Sequence, residues 1–349
     1  MTTATALISR ALPSSKSSSP SPPDRHHTRW NFCRVKAIFR IEYKISAIAG
    51  VLEMDRIARL RKYASKESDG IEIGPGHWPI VPKREGFRSL SLDVFDYPTL
   101  IAKAVADPNL TREQVGCIEP VDLLGPAQNI ASLVREKFGE RKFDYVVSSH
   151  NFEHVPDPIR FLQGCREILR DGGHVSMAIP DLRCCHDFFR SVSLPADLLE
   201  AHFDQRTMPT NKQVFLWSGM RAEHRSPRGG IFGSFDIEAE VKDIFPEPGG
   251  LTKAYAAWQE RETRVNRDYQ DAHCWAFTPA SFQWIALELQ HLSLFPFVLE
   301  SVEGPTGNEF HVHLRAEDPI VEDFETRRGE LMRATGLERT GSGIREVIS

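Results

Sequence analysis

Residues 143–181 contain two short apolar runs on either side of one amphipathic segment, and this arrangement restricts the fold more than any other part of the chain. The runs are FDYVVS at 143–148 and HVSMAI at 174–179. Between them, PIRFLQGCREILR at 158–170 carries apolar residues at helical spacing and is followed by two glycines. A strand, a helix and a second strand in this order predict two parallel strands joined by a crossover helix.

Further apolar runs extend this pattern towards both ends of the chain. GIEI at 70–73 and FRSLSL at 87–92 precede it, and FVLESV at 297–302 and EFHVHLR at 309–315 follow it around the turn EGPTGN. The last two runs predict an antiparallel hairpin. We therefore expect an α/β fold with a doubly wound, mostly parallel sheet that closes on this hairpin.

The chain divides into five segments by composition and pattern. Residues 182–272 are polar and irregular and are longer than a connecting loop should be, which predicts an inserted cap. The expected division is a disordered or targeting-like extension at 1–53, a cofactor-binding half at 54–181, the inserted cap or substrate region at 182–272, a helix and hairpin completing the sheet at 273–316, and a polar tail at 317–349.

The first 53 residues differ in character from the rest. They hold eight Lys or Arg against three acids and include the tract SSKSSSPSPP, a composition typical of disorder. Two interpretations stay open. The segment resembles an organelle transit peptide, and a translation start placed upstream of a true start at Met54 would give the same composition.

Overall composition excludes several classes of protein. A net charge of −5 offers no basic footprint for nucleic acid. The apolar run ISAIAGVL at 45–52 is far shorter than the roughly 20 residues of a membrane span. The six cysteines lack C-x-x-C spacing, which favours a reduced protein. We expect a cytoplasmic location, or an organellar one if residues 1–53 are a transit peptide.

The stretch GIEIGPGHWP carries the first chemical signal. Gly74 and Gly76 follow a predicted strand and allow a cofactor to approach the backbone closely. Asp93 lies 19 residues after Gly74, at the end of the next predicted strand, where its carboxylate can accept hydrogen bonds from ribose hydroxyls. The pair predicts a nucleoside-type cofactor. NAD is less favoured, because Pro79 stands where the third glycine of G-x-G-x-x-G belongs.

These motifs resemble those of the class I S-adenosylmethionine-dependent methyltransferases. Glu72, Gly74 and Gly76 match the family's first motif, although Trp78 replaces its usual last glycine. FDYVVSSHNFEHVPDP matches the fourth-strand motif almost throughout. The resemblance implies a seven-stranded Rossmann-like sheet and S-adenosyl-L-methionine as methyl donor. It also implies a set of cofactor-binding residues, namely Glu72, Gly74, Gly76, Asp93, Asp122 and Ser149.

A narrower resemblance concerns the acceptor. EIGPGHWPIVPK, HCWAFTPASF and GNEFHVHLR together resemble a methyltransferase-domain group found near glycosyltransferases in bacterial glycan clusters. This resemblance implies O-methylation of a small-molecule or glycan acceptor. The alternative is a catalytically inactive binding protein of the same fold, which the missing last glycine would fit.

A hydroxyl acceptor benefits from a general base, which contributes on the order of 10² to 10⁴ in rate. His150, directly after the fourth predicted strand, is the expected catalytic residue. Its alternative role is a histidine that only hydrogen-bonds the backbone. Within the insertion and at its end, further candidates for the acceptor side are His186, His224, Arg225 and His273.

His150, Glu153 and His154 form the spacing H-x-x-E-H, which binds zinc in some peptidases when it lies on a long helix. Here a strand precedes the motif and Pro156 and Pro158 follow it, so a long helix cannot form. Some methyltransferases of small RNAs and of quinones carry E-x-x-E-H at this position and bind a divalent ion. Here His150 replaces the first Glu of that motif, which suits an oxygen-preferring ion such as magnesium less well. A metal-dependent O-methyltransferase is therefore a less favoured alternative, and the expectation is a site without metal.

Overall fold

The structure is a computed structural model that describes residues 55–227, 229–263 and 269–340. The extension predicted for residues 1–53, with its two interpretations, and the last part of the polar tail lie outside the described residues.

Ten strands and ten α-helices make up the described part of the chain. The strands are β1 (Asp69–Ile73), β2 (Arg88–Asp93), β3 (Leu123–Leu124), β4 (Phe143–Ser149), β5 (Leu169–Pro180), β6 (Ala222–Arg225), β7 (Ile231–Phe232), β8 (Ile244–Pro246), β9 (Val298–Thr306) and β10 (Glu309–Arg315). The helices are α1 (55–60), α2 (Tyr97–Ala106), α3 (Arg112–Val115), α4 (Ile130–Phe138), α5 (Pro158–Ile168), α6 (Pro195–Phe203), α7 (Asn211–Gly219), α8 (Gly250–Thr263), α9 (Pro279–His291) and α10 (Phe324–Thr340).

The main sheet has seven strands in the order β3-β2-β1-β4-β5-β10-β9. The pairs β2–β3, β1–β2, β1–β4 and β4–β5 are parallel, whereas β10 runs antiparallel to both β5 and β9. This confirms the predicted doubly wound sheet with a terminal hairpin. The chain leaves β1 towards one edge and returns through β4 towards the other, so the strand order reverses between them. Ligands bind at the carboxyl ends of the strands beside such a switch point.

Helix α5 shows why the crossover segment forms where it does. The Asp157 side chain accepts a hydrogen bond from the Arg160 backbone N–H at 3.0 Å, and Pro158 occupies the first turn. The apolar face packs into the core, where Ile159 and Leu162 are buried. The helix ends at Ile168 and β5 begins at once, so the two glycines expected to separate helix and strand lie within β5.

The insertion is an ordered unit rather than an irregular loop. It contains α6, α7, α8 and a small antiparallel sheet in the order β7-β6-β8. This sheet has an apolar cluster of its own, formed by Cys184, Ala222, Phe235 and Ile244. This part of the chain therefore has a small apolar core of its own.

The polar tail contains helix α10, which packs on α9. The rings of His291 and Phe324 stack with centroids 3.8 Å apart, and Arg328 Nε donates to Glu288 at 2.6 Å. The Thr278 side chain caps α9 by accepting a hydrogen bond from the Ser281 backbone N–H. Among the described residues, none of these helices is long and apolar enough to cross a membrane.

Candidate functional site

A cavity of about 490 Å³ opens at the carboxyl ends of β1, β2 and β4, beside the switch point of the sheet. Its walls come from three sources. Gly74 and Asp93 line one end, and His150 with His154 lines another. Thr207, Tyr269 and Asp271 come from the insertion. The sequence motifs that predicted a cofactor and a reacting group therefore meet in one space.

Gly74 forms the floor of this cavity in a left-handed conformation, with φ +57°. A β-carbon at this position would lie 2.8 Å from the Asn151 side-chain nitrogen. Gly76 is also left-handed, with φ +50°, but no side chain crowds it and it is not part of the described cavity wall. The first glycine of the motif thus borders the cavity at a position where a β-carbon would collide with Asn151, and the second glycine does neither.

Glu72 supports the glycine loop from behind. Its carboxylate accepts hydrogen bonds from the backbone N–H groups of Ile80 at 2.6 Å and Val81 at 3.0 Å. Burial raises the pKa of Glu72 to about 7, and these two bonds oppose the shift. Glu72 is not one of the described residues that line the cavity. It can therefore affect a bound ligand only by holding the glycine loop in place.

Asp93 ends β2 at the cavity wall and is 8% exposed. Its Oδ1 accepts a hydrogen bond from the Phe95 backbone N–H at 2.9 Å, which fixes the carboxylate. Burial raises the pKa of Asp93, while bonds from the following backbone N–H groups oppose that shift. A fixed carboxylate at the end of the second strand suits two neighbouring hydroxyl donors such as those of a ribose.

The other two predicted cofactor residues have partners elsewhere. Asp122 accepts a bond from the Ser91 backbone N–H at 2.8 Å and pairs with Lys83. Ser149 accepts a hydrogen bond from Arg56 at 2.6 Å. Neither lines the cavity within the described part of the chain. Pro126, Ala127 and Gln128 line it instead, directly after β3.

The sequence contained a signal for that last segment. In a parallel sheet the residues just past each strand end share one edge, so the turn after β3 is expected to line a cavity at that edge. Asp122 lies before β3, and its carboxylate pairs with Lys83. Gln128 lines the cavity and is therefore the polar side chain at this end of it.

His150 follows β4 in a left-handed conformation, with φ +49°, and lines the cavity. Its Nε2 lies 2.5 Å from Glu309 Oε2, and Arg56 Nε donates to Glu309 Oε1 at 2.8 Å. Burial alone would lower the pKa of His150, but Glu309 and Glu153 outweigh it and raise that pKa. Burial alone would raise the pKa of Glu309, but His150 and Arg56 hold it well below its usual value.

The histidine that the sequence placed at the end of the insertion, His273, lies next to the H-x-x-E-H segment. Its Nδ1 is 2.6 Å from Asp187 Oδ2, and the rings of His154 and His273 meet edge to face at 4.6 Å. His154 Nδ1 is 2.9 Å from Asp271 Oδ1. Burial alone would raise the pKa of Asp187, but His273 and Arg190 lower it to about 2.

The remaining candidates of the insertion are not brought to the cavity. His186 lies against Arg221, and burial together with that charge lowers the pKa of His186 to about 4. His224 lies on β6 and Arg225 pairs with Glu223. None of these three belongs to the cavity wall among the described residues.

Comparison with known proteins gives a family match over more than half of the chain. The sequence model of a family described as a methyltransferase domain matches residues 43–290. A ubiquinone biosynthesis O-methyltransferase from Acinetobacter baylyi is 32% identical over 92 residues, which are 26% of this chain. The chain spans about a third, 34%, of the length of that relative.

Solved structures resemble this chain only weakly. The CcbJ methyltransferase from Streptomyces caelestis has a TM-score of 0.37 and 14% identity, over 75% of this chain and 88% of that chain. An S-adenosylmethionine-dependent methyltransferase from Clostridium acetobutylicum has a TM-score of 0.37 and 8% identity, over 82% and 99%. Likeness at this level carries no conclusion about activity.

Proposed function

This chain belongs to the methyltransferase-domain family, and from that membership we propose that it methylates a hydroxyl oxygen of a small-molecule or glycan acceptor. It is an S-adenosylmethionine-dependent methyltransferase, and the acceptor is the part that the proposal adds. The observation that carries the proposal is the position of His150 in the cavity wall, with its Nε2 held by Glu309.

The glycine loop and the end of β2 fit the methyl donor. Gly74 lines the cavity without a side chain, where a β-carbon would collide with Asn151, and the buried Asp93 offers a fixed carboxylate to ribose hydroxyls. Gln128 supplies a polar group after β3. When bound, S-adenosylmethionine supplies a methyl group on a positively charged sulfur. An acceptor oxygen can bond to that methyl carbon as the bond from carbon to sulfur breaks, which leaves S-adenosylhomocysteine.

His150 would take the proton that the acceptor hydroxyl loses. An ionised carboxylate can only accept a hydrogen bond, so the nitrogen that faces Glu309, Nε2, carries the proton of the neutral ring. Nδ1 is then the nitrogen that can act as a base. Glu309 fixes the orientation of the ring and stabilises the imidazolium that forms, and this pairing supports general-base catalysis.

The insertion contributes the rest of the cavity wall. Tyr269 donates a hydrogen bond from its hydroxyl to Asp271 Oδ1 at 3.0 Å, and both residues line the cavity with Thr207. Walls that orient an acceptor and keep water away can supply roughly 7 to 11 kcal/mol through alignment. We assign this positioning role to the insertion.

Oxygen rather than nitrogen or carbon is proposed as the methylated atom for two reasons. The A. baylyi relative is named an O-methyltransferase, and a hydroxyl is the acceptor that gains most from a histidine base.

A cytoplasmic location is part of the proposal, because the described cysteines, five in number, are all free.

The chemical bond in the product tests the proposal. The full chain is incubated with S-adenosylmethionine labelled in its methyl group and with panels of sugars, glycans and phenols. We expect label in an ether that survives mild base, identified by mass spectrometry. Label recovered only on nitrogen, on carbon or as a base-labile ester would contradict methylation of a hydroxyl oxygen.

A further inference from the structure

Glu153 is a deeply buried acidic side chain. It is 1% exposed, and neither of its carboxylate oxygens has a hydrogen-bond partner within the described part of the chain. A carboxylate removed from water costs several kcal/mol unless donors or a cation compensate it. Its surroundings therefore call for a positively charged ligand.

Three histidines surround this carboxylate. The nearest ring nitrogens lie 3.7 Å, 3.8 Å and 4.0 Å from Glu153 Oε1 and belong to His150 Nδ1, His154 Nε2 and His273 Nε2. These distances are too long for hydrogen bonds. They leave a gap of the kind that an ion bridging nitrogen and oxygen ligands would fill.

The far nitrogen of each ring faces another carboxylate. The pairs are His150 with Glu309 at 2.5 Å, His154 with Asp271 at 2.9 Å and His273 with Asp187 at 2.6 Å. Ionised carboxylates only accept, so each of these nitrogens carries the ring proton. The remaining nitrogen of a neutral ring then presents a lone pair towards Glu153. Histidines that bind metals are oriented by this arrangement.

Backbone contacts hold His273 in this position. The Cys274 backbone N–H donates to the Glu153 carbonyl at 2.7 Å, and the Trp275 indole donates to the Val155 carbonyl at 2.6 Å. Arg190 donates to the His273 carbonyl at 3.0 Å. The residue is thus fixed at the end of the insertion against the segment that follows β4.

We propose that Glu153, His154 and His273 bind a divalent first-row transition ion, with zinc as the best match. Their ligand atoms lie within 4.8 Å of one another. Ligands about 2.1 Å from a tetrahedral zinc are about 3.4 Å apart, so the side chains need to close by about half an ångström to one and a half. Two imidazoles with one carboxylate select such ions over magnesium or calcium, which prefer oxygen ligands.

The role of this ion rests on the proposed function. Of the three ligands, His154 lines the cavity, so a coordination position left free by the protein could be reached by an acceptor on that side. An acceptor hydroxyl bound there would lose its proton more easily, and His150 stands beside it to take that proton. The sequence led us to expect no metal because a strand and Pro156 and Pro158 flank H-x-x-E-H and exclude a long helix. That His273 lies beside this segment depends on the tertiary structure.

Metal binding is measured first without any methyl transfer. The full chain is stripped with a chelator, dialysed and titrated with zinc, manganese and magnesium chloride in a calorimeter, and retained metal is determined by mass spectrometry. We expect one zinc per chain at a dissociation constant below about 1 µM, and no magnesium binding at that affinity. Failure of the wild-type chain to retain zinc, manganese or cobalt overturns the proposal.

Variants identify the ligands. Glu153→Gln and His273→Ala should each weaken zinc binding at least 100-fold, and Asp271→Asn 10-fold to 100-fold through His154. His224→Ala, a histidine change on β6, should leave the affinity unchanged. Unchanged zinc affinity in both Glu153→Gln and His273→Ala overturns the assignment of the ligands.

A further readout on the wild-type chain covers the case in which these variants do not fold. Cobalt bound to a low-coordinate site of nitrogen and oxygen ligands should give visible absorption bands that excess zinc removes, and no such bands would overturn the proposal.

Failure of the metal site and failure of the proposed function give different results. Zinc binding without methyl transfer to any acceptor supports the metal site and contradicts the proposed function. Undiminished methyl transfer by a chain that binds no zinc, manganese or cobalt supports the proposed function and contradicts the metal site.

Discussion

His150 Nε2 lies 2.5 Å from Glu309 Oε2, although the two residues are 159 positions apart in the chain. His150 follows the fourth strand of the parallel part of the sheet, and Glu309 is the first residue of the antiparallel strand β10. The register of β10, which pairs Glu309 with Pro180 of β5, brings the carboxylate to the carboxyl edge of β4. The terminal hairpin thereby contributes to the site as well as closing the sheet.

Glu309→Gln is expected to move the pH dependence of methyl transfer. A base works when it is unprotonated, so the raised pKa of His150 places the rising part of the rate profile above pH 6.5 in the wild type. Without the Glu309 charge that part should move to lower pH, and kcat should fall about 10-fold because the ring loses its orientation. The same charge change at the neighbouring strand, Glu303→Gln, is the control. Superimposable profiles for all three proteins would contradict the role of Glu309.

Asp93→Ala is expected to weaken binding of S-adenosylhomocysteine about 100-fold. The variant loses a buried carboxylate that accepts two hydroxyl donors, and hydrogen bonds to a charged group contribute roughly 1.5 to 3 kcal/mol each. The measurement is calorimetric titration of the folded protein. Asp107→Ala, at the exposed end of α2, should bind like the wild type. Equal affinity in both variants would remove Asp93 from the cofactor site.

Gly74→Ala separates ligand approach from backbone strain. Gly74 and Gly139 both have a positive φ, +57° and +66°, which disfavours a side chain. A β-carbon meets Asn151 at position 74 and nothing within 4 Å at position 139. Both substitutions should lower the free energy of unfolding by about 1 kcal/mol, measured by urea denaturation. Only Gly74→Ala should weaken S-adenosylhomocysteine binding, by 10-fold or more. Equal binding would show that the close approach is unnecessary.

Glu72 should make the protein less stable as pH rises. Its pKa is raised from 4.5 to about 7 in the folded chain, so the folded state holds a proton that the unfolded state has lost. The stabilisation is fully present below pH 4.5 and disappears as pH rises through 7, a change on the order of 3 kcal/mol. Glu72→Gln lacks this titration.

Urea denaturation at several pH values measures this effect. The free energy of unfolding of the wild type, taken relative to Glu72→Gln, should decline between pH 4.5 and 7. The exposed Glu113→Gln is the matched control, and its difference from the wild type should stay flat over that range. A constant difference for Glu72→Gln too would show that the carboxyl ionises normally in the folded protein.

The features predicted from the sequence are those that depend on local patterns, namely apolar runs and glycines. Strand runs and glycines indicate the ends of β1, β2 and β4, and parallel strands bring those ends to one edge. Gly74, Asp93 and His150 do line one cavity, and their roles in binding and catalysis stay predictions. Glu309 was not predicted, and His273 was predicted as an acceptor-side candidate without its contacts to His154 and Glu153. Their positions depend on the register of the hairpin and on the path of the insertion, which no periodicity encodes.

Two other differences have similar causes. Asp122 matched the expected spacing, but its carboxylate is taken by Lys83 and Ser91, and the turn after β3 reaches the cavity instead. Helix α10 was not expected because its sequence is polar on most of its surface. Contacts with α9, such as Arg328 with Glu288, hold it in place, and such contacts follow from tertiary packing.

Transfer of labelled methyl from S-adenosylmethionine into an acceptor, compared between the wild type and His150→Ala, tests the central claim most directly. Acceptors come from the panels above or from fractions of cell extract. We expect the wild type to form one S-adenosylhomocysteine for each labelled ether, and His150→Ala to bind S-adenosylhomocysteine normally with kcat at least 100-fold lower. Equal kcat in the two proteins would contradict the account of this cavity as a site in which His150 activates a hydroxyl.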